Sequence, residues 1–174
     1  MEKKQTHLTW GIITGLAMVV VSLILMITEI GIKYQAAGWA AMVPVLIGLI
    51  LNANAYSKAN NEFVTYGNVF ASCFKASLIV AVFMVGWSIV TIVAFPELKE
   101  KTIEMTRQKM ASDPRMTEDA MNMAMDMTRK YWNVFTIGGA IVVWPLIGAV
   151  CSLIAAAIPP KKGEQIFVQQ SDNF

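Results

Sequence analysis

Charged side chains are scarce in this sequence, and their scarcity excludes an ordinary soluble domain. Asp, Glu, Lys and Arg make up 15% of the 174 residues, whereas hydrophobic residues make up 56%. A soluble domain carries about 25% charged residues, because its surface must face water. The net charge is only +2 and no basic run is longer than two residues, so we expect no nucleic-acid partner.

Cysteine and histidine, which supply many metal ligands and catalytic groups, are almost missing. Cys73 and Cys151 lie inside apolar stretches, and His7 is the single histidine. We expect both cysteines to pack as small apolar side chains. The sequence also contains no Gly-rich phosphate loop, no His-Glu-x-x-His helix and no nucleophile elbow. We therefore predict no catalytic residue, no metal site, no cofactor and no enzymatic activity.

Four long apolar segments are present instead. About 20 helical residues span 30 Å, the thickness of the hydrocarbon core of a bilayer. The segments fall at residues 10–30, 36–55, 69–95 and 131–158. Pro44 predicts a kink in the second segment, and Pro145 predicts a break in the fourth. The predicted fold class is all-α, an integral membrane four-helix bundle that forms one membrane domain over residues 1–174 in a lipid bilayer.

The segment between the third and fourth spans differs from them because it is solvated. Residues 97–130 contain seven acidic and seven basic residues. Most of the others are good helix formers, and Ser112-Asp113-Pro114 predicts a break followed by a new helix. We predict an extramembrane helical hairpin at residues 97–130, and a polar C-terminal tail at residues 161–174.

Lysines are distributed unevenly around the predicted spans. Four spans place both termini on one side of the membrane, together with Lys3, Lys4, Lys58, Lys161 and Lys162. Basic residues close to span ends favour the cytoplasmic side. We therefore predict that both termini are cytoplasmic and that the hairpin faces outward.

Methionine is concentrated in the solvated segment, where seven of the twelve methionines lie between Met105 and Met127. Soft thioethers suit copper(I), but helical residues two apart point about 200° away from each other. Methionine is also an adaptable residue at pliable binding surfaces. We therefore favour packing or contact with a protein partner, and the candidate residues are Met105, Met121, Met123, Met125 and Met127.

Polar side chains within apolar spans are costly and are therefore candidates for function. These candidates are Asn52 and Asn54 in the second span and Lys75 in the third. Because Lys75 lies close to the entry of its span, we expect its long stem to carry the ammonium back to the headgroups. Small residues also recur at spacing four, as at Gly148 and Ser152, which favours close helix packing and allows homo-oligomer contacts.

Two stretches of the sequence carry a resemblance to a known family. One is FVTYGNVF at residues 63–70, followed by Phe74-Lys75 and an apolar segment that ends at Phe95-Pro96-Glu97. The other is LIGAVCSLIAAAI at residues 146–158, followed by Lys161-Lys162. The chain resembles the domain of unknown function 4199 family, small four-span membrane proteins typical of Bacteroidetes. The resemblance implies an inner-membrane location and transfers no catalytic residue.

Two functional hypotheses follow from these patterns. The first is a non-enzymatic envelope component that binds a membrane or envelope protein through the hairpin, since only this segment combines solvation with adaptable apolar side chains. The alternative is a small transporter or channel subunit, which the prolines and the polar residues within the spans would fit.

Overall fold

The computed structural model describes residues 5–28, 30, 34, 42–112 and 116–162, and every regular element in these ranges is an α-helix. The helices are α1 (Thr6–Ile27), α2 (Met42–Ala59), α3 (Tyr66–Ala94), α4 (Glu97–Ala111) and α5 (Glu118–Ala157). The prediction of an all-α protein is confirmed.

Three of these helices, α1, α3 and α5, are long and apolar enough to cross a membrane. Large apolar side chains project outward from them, as Val82 and Val93 do with exposed fractions of 72% and 76%. Soluble monomers rarely expose extended apolar patches, so this surface supports the prediction of a membrane protein.

The second predicted span stays a prediction. Helix α2 has 18 residues, and the polar side chains of Asn52, Asn54 and Lys58 dilute its apolar character. Residues 36–41, which the prediction assigned to the start of this span, lie outside the described residues. Pro44 falls in the first turn of α2 as described, where a proline fits because the backbone N–H has no partner within the helix.

The chain divides into two compact units, residues 1–84 with 143–174 and residues 85–142. We call the first the core unit and the second the charged unit. The core unit contains α1, α2, the first part of α3 and the last part of α5. The charged unit contains the end of α3, all of α4 and the first part of α5.

Helix α3 is the centre of the core unit because it contacts α1, α2 and α5. Its buried residues follow one another at alternating intervals of three and one along the helix: Val69, Ser72, Cys73, Ala76, Ser77, Val80, Ala81 and Met84. This interval pattern repeats every four residues, close to the 3.6 residues of one helical turn, so these side chains lie along one face of α3. Most members are small, which brings the neighbouring backbones close.

Two glycines mark the closest approaches between helices of the core unit. A Cβ on Gly48 of α2 would overlap the side chain of Thr14 on α1, and a Cβ on Gly148 of α5 would lie 2.6 Å from the Cβ of Ser77 on α3. Real Cβ atoms cannot approach so closely, and glycine is therefore required at both contacts at the observed helix separation.

One end of the core unit is closed by contacts between the α2–α3 loop and the end of α5. Helix α2 ends in a Schellman motif, in which Asn61 has φ 53° and the Glu62 N–H donates to Ser57 O at 2.9 Å. Lys162 pairs with the Glu62 carboxylate at 2.6 Å, and its own N–H donates to Glu62 O at 2.8 Å. The Ser57 hydroxyl donates to Pro160 O at 2.8 Å. We call this set of contacts the end clasp.

In the charged unit, α4 and the first part of α5 are joined by polar contacts. Arg129 pairs with Glu100 at 2.9 Å and Arg107 donates to Asn122 at 3.5 Å. Ile103 is buried on α4, with an exposed fraction of 3%. The predicted break at Asp113 lies outside the described residues, so the turn of the hairpin stays a prediction.

Helix α5 differs from the prediction at Pro145. The helix continues through this proline, and its residue with non-helical dihedral angles is Tyr131, with φ −106° and ψ 17°. The predicted break at Pro145 is therefore wrong. Proline has a φ close to the helical value, so one hydrogen bond is lost without ending the helix, and the kink of α5 falls at Tyr131.

Candidate functional site

Asn52 lies at the contact between α2 and α3 with no exposed surface. Its Nδ2 donates to the Ser72 hydroxyl at 3.2 Å and to the Cys73 sulfur at 3.6 Å. The Cys73 thiol in turn donates to Leu49 O at 3.5 Å. The amide, the hydroxyl and the thiol therefore form a buried polar link between the two helices.

Three side-chain oxygen atoms of the core unit are buried without a hydrogen-bond partner among the described residues: Oγ1 of Thr6, Oδ1 of Asn52 and Oγ of Ser152. Asn52 and Ser152 have an exposed fraction of 0%. A buried unsatisfied oxygen costs about 1–3 kcal/mol. The polar link is thus only partly satisfied within the described residues.

The other two predicted intramembrane residues do not join Asn52. Asn54 is half-buried and its Nδ2 donates to Ile50 O, one turn back on its own helix, at 3.0 Å. Lys75 lies on the exposed face of α3, and no described residue forms a hydrogen bond or an ion pair with its ammonium. The three residues therefore do not line one common path through the core unit.

The five candidate methionines divide into two groups by burial. Met125 is buried with an exposed fraction of 6%, and Met105 and Met121 are half-buried. Met123 and Met127 have exposed fractions of 68% and 50%. Only these last two thioethers are fully available to a partner. Within the described part of the chain, no group of three or more His, Cys, Asp or Glu side chains could hold a metal ion.

Met123 and Met127 continue into an apolar surface that runs along α5. Tyr131 and Phe135 follow at the same four-residue interval and have exposed fractions of 41% and 57%. The two aromatic rings meet edge to face with centroids 6.2 Å apart, a favourable arrangement for an aromatic pair. We call these four residues the exposed stripe.

The exposed stripe passes from charged to apolar sequence. Its methionines lie among Asp126, Arg129 and Lys130, and its Phe135 lies within the apolar segment at residues 131–158. Sequence reasoning missed Tyr131 and Phe135 because it assigned them to a separate span. The four-residue interval across the boundary was the signal that could have found them.

The ion pair between Glu100 and Arg129 perturbs the titration of the Glu100 carboxyl. The Arg129 guanidinium donates a hydrogen bond to Glu100 and holds the pKa of that carboxyl below its ordinary value. Both side chains are more than half exposed, so solvent weakens the pair. Its role is to align α4 with α5 rather than to create a reactive group.

The sequence of the chain matches the model of one protein family over residues 9–160, and the family is described as protein of unknown function (DUF4199). This chain belongs to that family. The resemblance inferred from the third and fourth spans is confirmed, and the match covers most of the 174 residues. No curated protein and no solved structure matches the chain.

Membership of the DUF4199 family supplies no activity, so any function must be argued from the side chains. The buried link at Asn52 lies inside the core unit, whereas the exposed stripe lies on the surface of the charged unit. Of the two, the exposed stripe is the feature that another molecule can reach.

Proposed function

We propose that this protein is a non-enzymatic multi-pass component of a bacterial inner membrane that binds a protein partner through its charged unit. The observation that carries the proposal is the exposed stripe on α5. Met123 and Met127 are one turn apart and share a face of α5. Tyr131 and Phe135 continue the exposed apolar side chains from the kink at Tyr131 onward, so the stripe extends across the boundary between charged and apolar sequence.

The chemistry of the exposed stripe favours a protein over lipid as its occupant. Met123 and Met127 lie beside Asp126, Arg129 and Lys130, in a segment too charged to enter the hydrocarbon region. Lipid chains therefore cannot cover the methionine half. Methionine adapts to irregular partner surfaces, and aromatic residues such as Tyr131 often anchor interfaces. A partner helix with apolar residues at matching intervals would fit this face.

The proposed orientation, with both termini cytoplasmic, is supported by the end clasp. Three of the lysines that predict a cytoplasmic side, Lys58, Lys161 and Lys162, belong to the α2–α3 loop region and the end of α5, which the clasp holds together. Their concentration at one end of the core unit is the pattern expected for a cytoplasmic face. A dual topology reporter at Asp113 tests this orientation, and cytoplasmic exposure there would contradict it.

The partner proposal is tested by photo-crosslinking in living cells. A photoreactive residue is placed at Met123 or Met127, and the matched control is Glu118, which is exposed and lies about 140° around the helix from Met123. We expect both stripe positions to capture the same protein and Glu118 to capture none of it. When the photoreactive residue is at one of these two methionines, replacing the other by glutamate should abolish the capture, because a charge would be buried in the interface. Adducts with lipid and self alone, from both stripe positions, would refute the proposal.

A transporter or channel subunit is a second candidate, and one observation favours it. Oδ1 of Asn52 is buried in the predicted second span without a partner among the described residues, and such atoms often mark a path for a solute or an ion. The outward position of Lys75 and the local bond of Asn54 give it no further support. Flux into reconstituted vesicles that is lost in Asn52→Leu would favour this candidate over the first.

A further inference from the structure

A cleft of about 250 Å³ lies within the charged unit, where the end of α3, the start of α4 and the middle of α5 meet. One part of its wall is apolar and is formed by Ile92, Phe95, Leu98 and Trp132. Another part is polar and includes Lys99, Asn133 and Thr136. The cleft shares no residue with the exposed stripe, so the inference drawn from it is independent of the proposed partner.

The polar wall of the cleft has hydrogen-bonding groups that no described residue uses. No described residue forms a hydrogen bond with the side chains of Lys99, Asn133 or Thr136, although Lys99 and Thr136 are half-buried. The charged neighbour of Lys99 is Glu100, and the carboxylate of Glu100 is already bound by Arg129 at 2.9 Å. A cation, an amide and a hydroxyl are thus available to one ligand, and together they suit an anion with several oxygen atoms.

The apolar wall lies where the sequence changes from apolar to charged residues. Helix α3 ends at Ala94 in apolar sequence, and α4 begins at Glu97 with acidic residues in its first turn. Trp132 lies at the corresponding change on α5, beside Lys130, and tryptophan is enriched where a membrane meets water. A ligand at this level meets both water and hydrocarbon, so it needs a polar head and an apolar tail.

We propose that the cleft binds an anionic phospholipid. The phosphate accepts hydrogen bonds from Lys99, Asn133 and Thr136, and the first part of an acyl chain packs against Leu98 and Trp132. The volume of the cleft accommodates a phosphate and a short stretch of chain, and the rest of the lipid remains in the bilayer. Basic residues next to membrane helices commonly bind lipid headgroups in this way.

The experiment compares lipids that differ in headgroup charge alone. Full-length protein is reconstituted in phosphatidylcholine nanodiscs with phosphatidylglycerol of the same acyl chains as a minor component. The lipid retained by the ejected protein is then measured by native mass spectrometry. We expect preferential retention of phosphatidylglycerol, and a decrease of roughly tenfold in that preference for Lys99→Gln, which removes one charge-assisted hydrogen bond.

The matched control is Lys109→Gln, which removes the same charge from an exposed site on the same helix, outside the cleft. We expect this variant and Lys99→Arg to retain the preference. Equal losses in Lys99→Gln and Lys109→Gln would show attraction to general surface charge and overturn the proposal, as would equal retention of both lipids by the native protein. Competition by millimolar inorganic phosphate that removes all the bound lipid would assign the site to free phosphate instead. Circular dichroism confirms that each variant keeps its helices.

Discussion

Gly48→Ala adds one methyl group at the closest contact between α1 and α2. The new Cβ would lie 2.7 Å from Cγ2 and 2.9 Å from Cβ of Thr14, and closer still to its hydroxyl oxygen. Thr14 is β-branched, buried to an exposed fraction of 3% and part of a helix, so its side chain has little freedom to move away. Overpacking of this kind costs about 1–3 kcal/mol, and we expect the free energy of unfolding to fall by that amount.

A double-mutant cycle with Thr14→Ala isolates this contact. Removing the hydroxyl and the methyl of Thr14 leaves only its Cβ near the alanine at position 48, so the double variant should recover about 1–2 kcal/mol relative to the sum of the single variants. The control is Gly86→Ala on α3, because a Cβ there meets nothing within 4 Å. That variant should be neutral or slightly stabilising, since alanine favours a helix over glycine.

The assay is unfolding of the purified full-length protein in mild detergent, followed by circular dichroism as the fraction of a denaturing detergent is raised. Wild type, the two single variants, the double variant and Gly86→Ala are compared under identical conditions. Two results would refute the close contact between Gly48 and Thr14. One is a Gly48→Ala variant as stable as wild type. The other is a double variant whose loss of stability equals or exceeds the sum of the losses in the two single variants.

Three further perturbations test other parts of the structure. Asn52→Leu should be neutral or stabilising in the same assay because it removes the unsatisfied Oδ1. Asn52→Asp should lower stability because it buries a charge. An Asn52→Asp variant more stable than Asn52→Leu would contradict the buried polar link. The pKa of Glu100 is held low by Arg129, so the stabilisation from this pair is present above the unfolded-state pKa and is lost as the pH falls through the lower folded-state pKa. The protection factors of the α4 amides, which correct for the slower intrinsic exchange at low pH, should therefore fall on acidification in wild type and respond less in Glu100→Gln, and identical pH profiles would exclude this role. Met125→Ala should cost about 2–5 kcal/mol, whereas the exposed Met123→Ala should change stability by less than about 0.5 kcal/mol; equal effects would contradict the burial of Met125.

The helical character and the membrane class could be predicted because they depend on local features of the sequence. Runs of apolar residues long enough to span a bilayer are visible without a structure, as at residues 10–30 and 69–95, and α1 and α3 account for most of both. The family could also be predicted, since FVTYGNVF and the apolar run at residues 146–158 are contiguous. The confirmed predictions are therefore those that depend on neighbours along the chain.

The surface features could not be predicted because they depend on how the helices combine. The exposed stripe crosses the kink of α5 at Tyr131, the point at which the change in charge suggested a boundary between two elements. The burial of Met125 depends on packing within the charged unit, and the cleft gathers residues from three helices. Alternating methionines alone do not indicate which side chain faces inward.

The end clasp has a consequence for the order in which the protein is made. The Ser57 hydroxyl and its acceptor Pro160 lie 103 positions apart in the chain. A membrane protein enters the bilayer as it is synthesised, so α1, α2 and α3 are made before the last part of α5. Glu62 can therefore pair with Lys162 only after that last part has been made. The clasp is therefore a mark of completed assembly, and a chain shortened before Pro160 would have no means of acquiring it.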